Sequence, residues 1–461
     1  MGIAASTIWL GLAAPAIAAQ ATEGAAPSLL PITATATTPD LRDAAPRAGQ
    51  DLPQLTGEPE VSEDIAPSAP VTAPESAAAE TSAAEQARLK LTVGIRARFD
   101  VRFDDARLSG DPYTSTHLSF DTLILTLNYD SPTLFGAAEY RFYGGNFIYS
   151  RANGFDGYPG EVSFPSFAYA GVKLTPQDKV TVGFQSVPFD ERYWGSSWYN
   201  TLGFVYGLEE VYNVGISASH SDGPLDLTAG YFPTTGPAGF GISRDSARYS
   251  VNIVRADPYV PDATDNTERD MFVGRIRYRL ATSEEGALML AGSAWASRVR
   301  NYDTDRDGSR RAYAVSLRDT RRPLQLRLLA ARQAINPRNL GRDDLIAVGD
   351  YDSSYNIAAR STMLLGEVSR NVDTGAFPFT VNLYGSYTHM LKDDAGFADT
   401  QRINLGAYWN DKASQRIKIW SEFLIGRNDP YVGAGQFVSG AAQGGDDRWK
   451  TSFLIMAGYF F

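Results

Sequence analysis

The sequence predicts an all-β fold: a transmembrane antiparallel β-barrel of about 16 strands, with 18 possible. Ahead of the barrel the same reading places a signal peptide and a disordered Ala/Pro-rich segment. Three observations carry it. Residues 449–461, W-K-T-S-F-L-I-M-A-G-Y-F-F, alternate with period two, so that Trp449, Thr451, Phe453, Ile455, Ala457, Tyr459 and Phe461 share one face and Lys450, Ser452, Leu454, Met456, Gly458 and Phe460 the other. Similar segments recur from residue 88 onward, joined by alternately long and short connections, as a barrel with short turns at one end and long loops at the other requires. No run of about 18 apolar residues is present after the N-terminus, so the membrane character has to lie in alternation and not in a helix.

Composition agrees. Aromatic residues make up 12% of the 461, with 24 Tyr and 23 Phe, while the mean hydropathy is slightly negative. Barrels hide their apolar surface on one face of each strand, so a hydrophilic average is expected of them. Cysteine is absent, which excludes disulfides, thiolate metal sites and a cysteine nucleophile. The net charge of -11 is uneven: residues 1–87 hold two basic and eleven acidic residues, leaving 40 basic and 42 acidic for 88–461. The barrel region is close to neutral and offers no basic excess for nucleic acid.

Taken in order, residues 1–19 read as a secretory signal peptide, apolar from Ile3 and ending in an Ala16-Ile17-Ala18 site, although no basic residue precedes Arg42. Residues 20–87 are rich in Ala, Pro, Thr, Ser and acids and nearly lack aromatics. Such a composition cannot bury enough apolar area to offset chain entropy and predicts a disordered periplasmic segment. Strands are expected at 88–103, 116–129, 134–143, 166–174, 179–185, 210–220, 225–232, 271–280, 287–298, 311–317, 324–332, 360–370, 379–390, 402–409, 416–426 and 449–461. Pairing of 247–254 would raise the count to 18. The final strand, ending on Phe461 after alternating apolar residues, resembles the C-terminal signature of outer-membrane barrels, which implies the outer membrane of a Gram-negative bacterium.

The faces indicate where chemistry lies. Arg96, Arg98, Asp100 and Arg102 alternate with Val93, Ile95, Ala97, Phe99, Val101 and Phe103. Glu139 and Arg141 alternate with Tyr140 and Phe142; Arg275, Arg277 and Arg279 with Ile276, Tyr278 and Leu280; Arg327 with Leu326 and Leu328. A charge facing lipid costs ~2–4 kcal/mol near the midplane, so these faces belong inside. An arginine-bearing, water-filled lumen favours anions, unless wall carboxylates such as Asp100 and Glu139 neutralise it.

The connection 186–209, S-V-P-F-D-E-R-Y-W-G-S-S-W-Y-N-T-L-G-F-V-Y-G-L-E-E, is too aromatic for a solvated loop and must bury against something. It joins the fifth and sixth strands, and Asp190, Glu191, Arg192, Tyr193 and Trp194 are its constriction candidates. The flanking segments V-G-F-Q-S-V-P-F (182–189) and G-L-E-E-V-Y-N-V-G-I (207–216) resemble the phosphate-selective porin family and its relatives. The resemblance implies a passive, substrate-selective homotrimeric pore, embedded in outer-membrane lipid and lipopolysaccharide and passing small hydrophilic or anionic solutes. The family's dense lysine cluster is missing, so phosphate itself is not carried over.

Two other features imply little. Asp303, Asp305 and Asp307 begin a calcium-loop pattern, D-x-D-x-D-G, but its twelfth position is Ala314 in place of the bidentate Glu. His117, His220 and His389 fit no metal spacing, and no nucleophile or nucleotide motif is present, so neither an enzyme nor a cofactor is expected. The competing reading of the same barrel is a structural anchor or adhesin with a plugged lumen; a barrel hydrolase ranks third.

Overall fold

The computed structural model describes residues 87–105, 113–145, 149, 151, 154–189, 201–262, 264–433 and 437–461. The signal peptide, nearly all of the acidic segment and the constriction candidates Asp190, Glu191, Arg192, Tyr193 and Trp194 lie outside these residues.

All sixteen expected strands form, and they close into one antiparallel barrel. In chain order they are β1 (Arg88–Asp105), β2 (Tyr113–Asp130), β3 (Leu134–Tyr143), β4 (Val162–Lys173), β5 (Asp178–Ser186), β6 (Tyr212–Asp222), β7 (Leu225–Thr235), β9 (Asn266–Thr282), β10 (Ala287–Asn301), β11 (Arg306–Asp319), β12 (Leu324–Asn336), β15 (Arg360–Val372), β16 (Phe379–Lys392), β17 (Thr400–Asp411), β18 (Ile417–Arg427) and β19 (Trp449–Phe460). Each pairs with the next wall strand, and β19 returns to β1 with Gly94 opposite Phe460 and Arg102 opposite Ser452. Just beyond β19, the backbones of Val93 and Phe461 exchange a pair of hydrogen bonds of 2.9 Å each. Closure leaves no sheet edge, which is the condition for a strand structure to sit in lipid.

Alternation is visible in burial. In β19, Ser452, Leu454, Met456 and Gly458 are buried inward while Trp449, Ala457 and Tyr459 are exposed. The two ends of the barrel differ. Connections such as 131–133, 174–177, 223–224, 283–286 and 320–323 are short; those at the other end include 144–161, 187–211, 236–265, 337–359 and 428–448. Short turns are periplasmic in barrels of this class.

The count of 18 is corrected. Of 247–254, Asn252–Ile253 does pair, as β8, but its partner is β13 (Leu345–Asp350), which pairs in turn with β14 (Ser353–Ala358). These three form a separate small sheet inside the wall. The hairpin turns at Tyr351 and Asp352, both with positive φ (42° and 67°). Every residue of β13 and β14 is buried, so neither strand has a solvent or lipid face to impose period two on the sequence. One four-residue helix, α1 (Leu202–Val205), is wholly buried. Thr201 caps its start by accepting from Gly203 N–H, and Gly207, at φ +63°, supplies the left-handed residue that ends it.

Candidate functional site

The inner wall and what packs on it form the site. Arg96, Arg98, Asp100, Arg102, Glu139, Arg141 and Arg327 all point inward and are at most 3% exposed. Arg96, Arg98, Arg141 and Arg327 each have a carboxylate beside them. Arg98 forks onto Asp100 with both bonds at 2.6 Å. Arg141 Nε donates to Glu139 at 2.5 Å, while its guanidinium lies 4.3 Å over the Tyr249 ring. Arg327 lies 3.4 Å from Glu209. Arg96 pairs at 2.7 Å with Asp121, a residue the alternation did not nominate. A register shift between Arg96 and Ala97 explains this: Thr122 faces Arg96 and Phe120 faces Ala97, so Asp121 is the extra residue of a bulge, and Asp121 and Thr122 are buried consecutively.

Sequence reasoning missed other inward charges. Arg310 stacks 4.3 Å over Trp295, bonds Glu268 at 3.0 Å and donates to the carbonyl of Gly207. It lies one position before the expected strand 311–317, and extending that alternation through Arg310, Ala312, Ala314 and Ser316 would have found it. Arg402 forks onto Asp429 at 2.6 Å, and Glu422 accepts from the Tyr384 hydroxyl.

The space these residues face is not wholly water. The sequence reads the lumen as water-filled, but in its long-loop half the connections fold inward and share one apolar core with the wall. Tyr351 of the hairpin packs against Tyr143 and Phe164 of the wall at 5.2 and 5.5 Å between ring centres. Tyr355 Oη donates to Val205 O (2.8 Å), and Tyr206 Oη to Ala441 O (2.7 Å). Residues 187–189 and 201–211 are buried throughout, so the described part of the connection 186–209 is held by Arg310 and Arg327 from the wall and by two other loops. Asp352 fastens the hairpin to the connection 236–265: it accepts from the Ile242 N–H (2.8 Å), the Ser243 N–H (3.0 Å) and the Ser243 hydroxyl. Burial pushes its carboxyl up to about 6 despite those donors, and burial also holds Asp350 well above the ordinary carboxylate range.

The short-turn half is more open. Arg275 and Arg277 are half-buried, and Arg279, three residues from the end of β9, is exposed. Arg318 joins them across two strands: Met289 is opposite both Arg279 and Arg318. Asp226 bonds Arg277 Nε at 2.9 Å. Lys418, half-buried on β18, lies 4.9 Å over the Phe460 ring.

The acidic loop Asp303, Asp305 and Asp307 does not converge. Asp303 accepts from the Asp265 N–H at 3.0 Å, Asp305 is ion-paired with Arg300, and Asp307 lies 3.6 Å from Arg300 and 3.7 Å from Arg269. Among the described residues no three Asp, Glu or His side chains are grouped to hold a metal ion.

The closed sixteen-strand wall and its charged interior define an outer-membrane β-barrel of the porin architecture. No protein-family description matches the chain, and no curated protein matches it by sequence. Solved structures do. The outer-membrane channel DcaP of Acinetobacter baumannii is 12% identical with a TM-score of 0.51, covering 84% of this chain and 100% of its own. OmpF of Salmonella typhi, in complex with daunomycin, is 14% identical with a TM-score of 0.50, covering 81% and 97%. At such identities the likeness is one of fold. The shared fold is the sixteen-strand barrel of these Gram-negative outer-membrane porins, and it does not single out the phosphate-selective family.

Proposed function

We propose that this protein is a passive diffusion channel of the outer membrane for small hydrophilic solutes. The observation that carries the proposal is the closed sixteen-strand wall whose inward face is polar and charged while its outward face is apolar. The infolded connections narrow the bore in the long-loop half, and Asp190, Glu191, Arg192, Tyr193 and Trp194 belong to the segment assigned to the constriction. An anion preference rests less on the buried arginines, which sit beside carboxylates, than on Arg275, Arg277, Arg279 and Arg318 of the short-turn half, which are more accessible although Arg277 bonds Asp226. Phosphate is one anion of the right class, favoured only by the motifs at 182–189 and 207–216. Residues 1–19 act as export signal, 20–87 as a periplasmic segment and 88–461 as the barrel, working as a homotrimer in outer-membrane lipid and lipopolysaccharide. No catalytic residue, cofactor or metal is assigned.

Single-channel recording in a planar bilayer tests this. Stepwise conductance in groups of three, with a reversal potential of anionic sign in a salt gradient, is the expected result. Folded, heat-modifiable protein with no conductance would overturn the channel reading. One observation favours the second reading, a plugged structural barrel: the apolar core that joins wall and loops.

A further inference from the structure

The outward face carries a charged feature of its own, and it lies on one flank. On β11 the outward residues running down from the long-loop end are Arg311, Tyr313 and Val315; on β12 they are Ala334, Arg332, Ala330 and Leu328; on β15 they are Arg360, Thr362 and Leu364. Arg311 is opposite Ala334, and Ala334 is opposite Arg360. Neighbouring strands lie about 4.8 Å apart, so the two arginines stand about 10 Å apart with a methyl group between them. Arg332 shares that face two residues down β12. It is held by Asp393, while Arg311 and Arg360 are exposed and make no side-chain hydrogen bond or ion pair among the described residues. Asp393 and Asp344 are the acids that feel Arg360, and Asp344 is itself bonded to Arg342.

Below this triad the wall is apolar: Tyr313 is 56% exposed, Val315 58%, Leu328 46% and Leu364 45%. A guanidinium on the lipid face is strongly unfavourable at the midplane and nearly neutral near the interface. The triad therefore marks the level where acyl chains end and headgroups begin. On the opposite flank the outward residues toward the same end are Val101, Thr116, Leu118, Phe142 and Val214, none of them cationic.

We propose that Arg311 and Arg360, bordered by Arg332, form a binding site on the outer wall for the phosphate-bearing headgroup of an outer-leaflet lipid. Guanidinium forks match phosphate oxygens in pairs; Arg311 and Arg360 supply two forks on either side of a small floor residue, and Arg332, already forked onto Asp393, borders the site. The lipid, as opposed to a free anion, is indicated by continuity: acyl chains descending from a phosphate above Ala334 lie directly on Tyr313, Val315, Leu328 and Leu364. The site does not depend on whether the lumen conducts.

Native mass spectrometry on the full-length folded protein tests the site, with three probes: a diphosphorylated glucosamine lipid, the same lipid dephosphorylated, and inorganic phosphate. The phosphorylated lipid should be retained preferentially, and the double variant Arg311→Gln/Arg360→Gln should weaken it about tenfold or more, since it removes the charge-assisted bonds to the phosphate. Ala334→Trp keeps every charge but fills the floor, and it should weaken retention as well. Heat-modifiable migration establishes folding for each variant; should the double variant not fold, the Ala334→Trp result decides. Equal retention of the two lipids, or unchanged retention in folded variants, overturns the proposal. Inorganic phosphate that binds as tightly as the lipid and is indifferent to Ala334→Trp would make this a free-anion site and overturn the lipid assignment.

Discussion

The wall and the infill of this barrel are built from the same chain under different constraints. In β1, Arg96, Arg98, Asp100 and Arg102 alternate with Ile95, Ala97 and Phe99 because one face meets lipid and the other the interior. In β13 and β14 every side chain is buried, and Ser353, Ser354 and Asn356 share a strand with Tyr355 and Ile357 without a solvent-facing side to sort them. Period two is a record of two different environments. Where both faces see protein, the record disappears, although the hydrogen-bonded strand remains.

The strongest way to break this comparison is to remove the infill. Replacing 345–358 by a short Gly/Ser linker should leave a folded, heat-modifiable sixteen-strand barrel and raise single-channel conductance severalfold. A barrel that no longer folds would mean that wall and infill stabilise each other. Next in size is Arg310→Ala. It strips Glu268 of a buried partner and Gly207 of a donor, and losing one member of a buried pair costs ~3–5 kcal/mol. Denaturant unfolding of the barrel should register the loss, and noise in the open-channel current should report the loosened connection.

The junction between wall and infill should also respond to pH. The carboxyl of Asp352 is raised from 3.8 to about 6 in the docked hairpin. An acid raised on docking favours the docked state below its ordinary value and disfavours it as pH climbs through the raised one. Hairpin docking should therefore be firmest below pH 4 and lose up to ~3 kcal/mol by the time pH passes 6. Hydrogen exchange of 345–358 at pH 4.5 and 7.5 measures this, and Asp352→Asn should remove that share of the dependence. A protection pattern that strengthens with rising pH would contradict it. The smallest effect concerns the open half. Arg275→Gln, Arg277→Gln and Arg318→Gln remove charges in a water-rich setting, where each is worth about 1 kcal/mol or less, so the anion-to-cation permeability ratio should fall roughly two- to fivefold. An unchanged reversal potential would show that these arginines do not set the preference.

How much could be read in advance follows from the same contrast. All sixteen wall strands were visible because each shows its pattern over seven residues or more, and the inward arginines were visible because lipid excludes them from the other face. Asp121 was not, since a bulge shifts the phase by one residue and leaves no mark in residue types. Arg310 was lost to a boundary drawn one residue late. The connection 186–209 announced its burial through its aromatics, but its partners, Arg310, Arg327, Tyr355 and Ala441, come from four distant stretches, and no local pattern joins them.

The seam between β1 and β19 has a consequence for assembly. Until Trp449–Phe460 arrives beside Gly94–Arg102, the growing sheet has two raw borders, each a row of unpaired N–H and C=O groups. Such a border accepts any strand offered to it, including one from another molecule. A partly built sheet is therefore adhesive, and escort toward the membrane is needed until the seam is sealed. Chains cut short before Trp449 would yield no smaller barrel, only sheets that stay sticky.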